Sequence, residues 1–455
     1  YVGVVNSTNI TVKDLTLSHN NEGVLFVYTN NSRIENVSAT NNGKGISLRS
    51  SSYNNSLTGN NASNNFYGIY MATSSNNSLT NNTVSNNNYG IYMTASSYNS
   101  LTNNTVSNNY DCITLSFSSN NNLTGNNASN NDYDGIYLYS SSSNTLTDNT
   151  ANSNSGYGIH LKHSSNSTLN NNTMSGNTYN FGVYSYSLSG YTQNIDTSNT
   201  VDGKPVYYWI NQQDKQIPDD AGYVVVVNSS NITVKDLTLS HNGKGVLFVH
   251  TTNSKIENVS ASNNDYDGIY MESSCSNTLT NNTVMYNRDG IRLRSSSNNN
   301  SLTGNNASNN NQRGIYLYSS SNNNLTSNTA NSNNDHSIYL GWSSNNNLTN
   351  NTANSNNYNG IYLYSSCNNN LTGNNASNND YDGIYLCYSS NNNLANNTAN
   401  SNNGYGIYLD ESNNNSIANN KVSNNNEIGI NLWWDAINNT LTNNIVSNNK
   451  NGGIH

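Results

Sequence analysis

Apolar residues recur along this chain at a fixed interval, each set in a polar NSLTGN or NNLTNN segment. In one series they fall at Val12, Ile34, Leu57, Leu79, Leu101, Leu123, Leu146 and Leu169, and in a second at Val234, Ile256, Leu279, Leu302, Leu325, Leu348, Leu371, Leu394, Ile417 and Leu441. The spacing is 22 to 24 residues throughout each series. Five residues after each register position stands a small apolar residue such as Ala62, Val84 or Ala376, and a Gly-Ile-x-Leu or Gly-Ile-x-Met tetrad follows. The alternation has the period of a strand, and no helical period occurs. Three short strands per period, each pairing with its copy one period away, predict an all-β parallel solenoid with coils of about 22–23 residues.

Asparagine makes the prediction sharper. The chain has 113 Asn in 455 residues, and they are not scattered. From Leu57 to Leu169 and from Leu279 to Leu441, Asn recurs three residues after the register position (Asn60, Asn82, Asn104) and again eight after it (Asn65, Asn87, Asn109). These read as two ladders of stacked amides, inward or at corners, bonding copy to copy at the strand spacing of about 4.8 Å. Only 33% of residues are hydrophobic and mean hydropathy is −0.75, too little apolar material for several globular cores but enough for a thin repeat core.

Residues 1–20 return almost unchanged at 223–242, so two modules are expected, 1–185 and 223–455. Between them, residues 186–222 hold both prolines and break the Asn pattern, which predicts enlarged coils. Neither end reads as a capped repeat, so the chain is expected to join further coils or copies of itself end to end.

The repeats, with TVDGKPVYYWINQQDKQIPDDAGYVVVVNSSNITVKDLTLSH over 200–241, resemble the NosD-like and carbohydrate-binding and sugar-hydrolase right-handed parallel β-helix families. They are similar to those of archaeal, methanogen surface proteins. Handedness is implied by this resemblance. The copper handling suggested by the family name finds little in the sequence: His160 and His163 are the only compact His group and lack a soft-ligand partner. No cofactor or metal is expected.

Net charge is −9 with 16 Lys plus Arg and no basic run, which argues against nucleic acid, and no apolar stretch is long enough to span a bilayer. Cys112, Cys275, Cys367 and Cys387 form no ligand or disulfide pattern. The carboxylate and basic sets of polygalacturonase-type enzymes are missing. Stacking the tetrads brings Asp267, Asp289 and Arg313 into one column, with Asp265 and Arg288 beside it and Glu272 on Arg294. That group is either a surface ion-pair ladder or a ligand site. Alternation turns Tyr70, Tyr92, Tyr316, Tyr339, Tyr362, Tyr385 and Tyr408 outward as an exposed column, able to stack on itself or to bind sugars. Asn61, Asn81, Asn103, Asn122, Asn306, Asn347 and Asn375 are sequon asparagines outside the inward ladders and candidate glycosylation acceptors, although sequons are no commoner than this composition produces by chance.

Together these features predict an extracellular, cell-surface structural solenoid and not an enzyme. The alternative is a β-helix protein that binds or cleaves glycans.

Overall fold

The computed structural model describes residues 1–455. It is all-β apart from one 3-10 turn at Leu188–Tyr191, and it forms a right-handed parallel β-solenoid with three strands per coil. Two compact units are present. The first comprises 1–208, 220–223 and 241–243, and the second 209–219, 224–240 and 244–455.

In unit 1 the widest face is a nine-stranded sheet from Val2–Val5 to Tyr179–Tyr184, built from the Gly-Ile-x-Leu tetrads. A second nine-stranded sheet carries the register residues from Thr11–Lys13 to Asn194–Ile195. A third, of six strands, runs from Thr16–Ser18 to Asn127–Ser129. Unit 2 repeats the plan, but over the coils of Ala307 to Ala399 its third sheet thins to single bridges such as Thr329↔Thr352 and Thr352↔Asn375. Pairing is parallel and in register, Leu79 with Leu57 and Leu101, Ile69 with Ile46 and Ile91, so like residues stack on like. Segment 186–222 contains the exception, an antiparallel turn pairing Thr200–Val201 with Lys204–Pro205.

The corners explain the asparagine. In the coil of Leu79 the backbone turns through positive φ at Thr73, Asn76, Asn81 and Asn86. Each is followed by a buried residue, Ser74, Asn77, Asn82 and Asn87. Asn is tolerated in the left-handed region because its short amide bonds locally, whereas most residues lose about 1–2 kcal/mol there. The buried Asn next to it serves another purpose. Asn82 donates its backbone N–H to Asn104 Oδ1 (3.0 Å), and its Nδ2 bonds both Leu57 O (2.9 Å) and Asn104 Oδ1 (2.9 Å). Corner backbone that cannot reach a strand partner is thus satisfied coil by coil.

The two expected ladders are joined by two more. A third Asn ladder stands two before the register residue (Asn55, Asn77, Asn99, Asn121). A serine ladder stands five before it, where Ser74 N–H donates to Ser96 Oγ and Ser96 N–H to Ser118 Oγ. In the connecting segment Gln193 and Asn199 continue two of these ladders by accepting from Ser167 and Asn172. Between the ladders lies a thin core of Ile, Leu, Val and Ala, fully buried.

Candidate functional site

On the wide face of unit 2, alternation sends Ile and Leu inward and Tyr outward. The rings stack along the axis. Tyr316 and Tyr339 lie 5.1 Å apart, Tyr339 and Tyr362 5.0 Å, Tyr362 and Tyr385 4.9 Å, and Tyr385 and Tyr408 4.8 Å, all within 12° of parallel. The column is half-buried, not exposed as expected, and Tyr316 is 6% exposed, because each ring covers its neighbour. Tyr70 and Tyr92 make the same stack in unit 1 at 6.0 Å. A second aromatic column flanks the first in unit 2: Trp342 packs edge-on against Tyr318 (5.1 Å) and Tyr364 (5.0 Å). Trp342 and Tyr388 are exposed and sit at the positive-φ corner that Thr73 occupies in the coil of Leu79.

At the Tyr316 end the column gives way to charge. Asp267 and Asp289 are register partners, each 1% exposed. Arg292 occupies a tyrosine position and lies 3.6 Å from Asp289 Oδ2 and 3.9 Å from Asp267 Oδ1. Arg313 donates its backbone N–H to Asp289 Oδ1 (3.1 Å), and its side chain reaches Asp289 and Asp335. The guanidiniums are seated on rings, Arg292 at 5.0 Å and Arg313 at 4.3 Å from the centre of Tyr316. Lys244, in register with Asp267, lies over Tyr270. Burial holds Asp267 above the usual carboxylate range, against the pull of Arg292 and with the help of Asp289. Burial also lowers Lys244 and His336. Asp267 Oδ1, Asp289 Oδ2 and Arg292 Nε are buried without a hydrogen bond, so the ion pairs are loose.

The sequence placed Asp267, Asp289 and Arg313 together, and the structure brings them together. Glu272 and Arg294 are register partners; Asp265 and Arg288 lie more exposed beside the pair, with Arg288 over Tyr266. Arg292, Lys244, Asp335 and His336 were missed. Arg292 was legible as the one Arg at the third position of a Gly-Ile-x-Leu tetrad. Of the sequon residues, Asn61, Asn81, Asn103 and Asn122 are exposed, while Asn306, Asn347 and Asn375 are half-buried. Asn347 is tied into an outer amide ladder with Asn324 and Asn370.

The family model described as right handed beta helix region matches residues 67–201 and 222–375. The chain belongs to this β-helix family. The model described as periplasmic copper-binding protein (NosD) also matches, over residues 2–113 and 327–454, and makes this a NosD-like β-helix. Copper does not fit the side chains present: no three His, Cys, Asp or Glu converge, and His160 Nδ1 faces Asp134 Oδ2 at 3.3 Å. No helix of the β-helix protein is long and apolar enough to cross a membrane.

No curated protein matches the sequence. Among solved structures the chain is similar to the Azotobacter vinelandii mannuronan C-5 epimerase AlgE4 A-module (15% identity, 80% of this chain and 88% of that one, TM-score 0.40). It is also similar to the periplasmic alginate epimerase AlgG (13% identity, 81% and 78%, TM-score 0.39) and to the catalytic domain of a GH87 α-1,3-glucanase (14%, 66% and 61%, TM-score 0.34). At these values the likeness is one of fold. The expectation that the chain is not an enzyme is corrected: the solved structures similar to it are of polysaccharide epimerases and a glucanase.

Proposed function

We propose that unit 2 of this β-helix binds an acidic polysaccharide along its tyrosine face and performs acid–base chemistry on it at the Asp267–Asp289 pair. One observation carries the reading. Four of the chain's six arginines, Arg288, Arg292, Arg294 and Arg313, fall within one stretch of a protein whose net charge is −9. All four are more exposed than the two carboxyls, and Arg292 and Arg313 reach them directly. An approaching chain therefore meets guanidiniums, which bind sugar carboxylates in bidentate fashion, while exposed Trp342 and Tyr388 offer ring surface for sugars and the stacked tyrosines present their edges. A carboxyl whose proton affinity is raised by burial, one coil from another carboxyl paired to arginine, is an arrangement that can divide acid and base roles. The expected location is extracellular or periplasmic.

The test is binding of a uronate polymer and of a neutral glucan to the full chain at low and moderate salt. The uronate should bind, more weakly as salt rises, and Arg292→Ala with Arg313→Ala should weaken it at least tenfold. Equal affinity for both polymers, or no effect of the double substitution, would reject the reading.

A further inference from the structure

The tyrosine column of unit 1 is missing one ring. Outward positions on successive coils read Tyr70, Tyr92, Thr114, Tyr137 and His160, each a register partner of the next. Two residues further along the strands the same coils carry Thr94, Ser116 and Tyr139, so a second ring stands only on the Tyr139 side. Between the aromatic coils lies a cavity of about 270 Å³, floored by Asp111, Thr114 and Ser116. Tyr89 and Tyr92 form one wall; Tyr137 and Tyr139 form the other.

Its width follows from the repeat. Two coils separate Tyr92 from Tyr137, about 10 Å at the strand spacing. The intact column of unit 2 places ring centres 4.8 to 5.1 Å apart, so the opening is one ring wide. Both walls are braced from behind. Tyr92 is backed by Tyr70 (6.0 Å, 4°) and by Tyr67 (5.7 Å). Tyr137 rests on His160 (5.2 Å, 30°), which is stacked on Tyr157 (4.2 Å, 22°) and held by Asp134 (3.3 Å). A slot whose walls are held apart before a ligand arrives spends little binding energy on ordering itself.

We infer that this slot is a binding subsite for a single neutral pyranose ring of a glycan, sandwiched between Tyr92 and Tyr137 with its hydroxyls on Asp111, Thr114 and Ser116. The faces suit the C–H surfaces of a pyranose, and the floor offers two hydroxyls and a carboxyl. Within the slot stands one acid and no base, so a carboxylated sugar is disfavoured, the reverse of the arginine surface of unit 2. Burial, with the charge of Asp134, pushes Asp111 up to about 6, so its ionised form, the better acceptor of sugar hydroxyls, prevails above that pH. The cavity is smaller than the roughly 300–1,000 Å³ of a drug-sized site, in keeping with one ring rather than several. The site stands on its own observation and does not depend on the chemistry proposed for unit 2.

Saturation-transfer NMR of the full chain with neutral β-1,4-linked glucose and N-acetylglucosamine hexamers tests it, with a hexuronate as the acidic comparison. At least one neutral hexamer should bind, with saturation concentrated on the C–H protons of one ring. Thr114→Tyr restores the missing ring, so it should abolish that binding without lowering the melting temperature, while Thr114→Ala, which keeps the slot open but removes one floor hydroxyl, should weaken it only severalfold. If Thr114→Tyr folds poorly, Tyr137→Ala, which removes a wall and adds no volume, should weaken binding at least tenfold. Failure of both neutral hexamers to bind at millimolar concentration, or undiminished binding by Thr114→Tyr or Tyr137→Ala, would overturn the inference. Neither result bears on uronate binding by unit 2.

Discussion

Asn350 and Asn351 are chemically identical neighbours with opposite structural duties. Asn350 is exposed at φ 55°, and the corresponding residue of the next coil is Gly373. Asn351 is buried; its Nδ2 reaches Leu325 O at 2.8 Å and its Oδ1 accepts from both nitrogens of Asn328. Asn351→Leu should therefore cost roughly 2–4 kcal/mol, since it leaves Asn328 and Leu325 unpaired in the interior, whereas Asn350→Gly should change stability by about 0.5 kcal/mol or less. Chemical denaturation of the two variants checks the contrast. The ladders three and eight after the register residue were legible because Asn is nearly invariant there from coil to coil. The serine ladder was not, since Ser at an inward corner looks in sequence like Ser in any polar turn.

Asp382 gives a residue-scale prediction about pH. It is 8% exposed and accepts the Tyr405 N–H at 2.7 Å. Burial, opposed by that bond and aided by Glu427, pushes it up to about 7. A carboxyl raised in the folded state binds protons there that the unfolded chain releases at about 4, so its contribution to stability falls as pH rises from about 4 to about 7. His336, lowered by burial, runs the other way below neutrality. Asp382→Asn should consequently gain stability relative to the parent as pH rises across that window, reaching a few kcal/mol above pH 7. Melting curves at pH 5 and pH 8 measure it.

At the scale of the strand, the glycine opening each tetrad is set by close approach. A Cβ at Gly360 would lie 2.7 Å from Gly383 O and 2.8 Å from Ala376 Cβ, atoms fixed by the next coil. Gly360→Ala should cost about 1–3 kcal/mol through overpacking. Gly341→Ala is the control, because its Cβ would meet only side-chain atoms, Tyr339 Oη at 3.2 Å and Tyr318 Cδ2 at 3.6 Å among them. Comparing the two midpoints tests whether strand geometry, and not glycine in general, sets the requirement. The three-stranded coil, its length and its register were legible from the repeat alone. The burial of the tyrosine column was not, because period-two alternation says which way a ring points but not that its neighbours will cover it.

At the scale of the whole molecule, repetition made the scaffold easy to read and the departures from it hard to weigh. Thr114 stands between Tyr92 and Tyr137, and Arg292 is the one Arg at the third position of a tetrad; each marks a candidate site. Asp267, Asp289 and Arg313 could be aligned by stacking tetrads. Lys244 required the register of the strand Lys244–Val249, and Asp335 and His336 lie where their coil departs from the common pattern. A surface ion-pair ladder accounts for charge compensation, but not for buried carboxyls whose ion-paired oxygens lack a hydrogen bond.

The most direct test is a proton NMR time course of a uronate polymer incubated with the full chain, the parent beside Asp289→Asn. The account predicts progressive change in the anomeric or ring-proton signals of the polymer with the parent, slowed about 10²-fold or more in Asp289→Asn although polymer is still bound. An unchanged spectrum with the parent saturated by polymer, or equal rates for parent and variant, would contradict it.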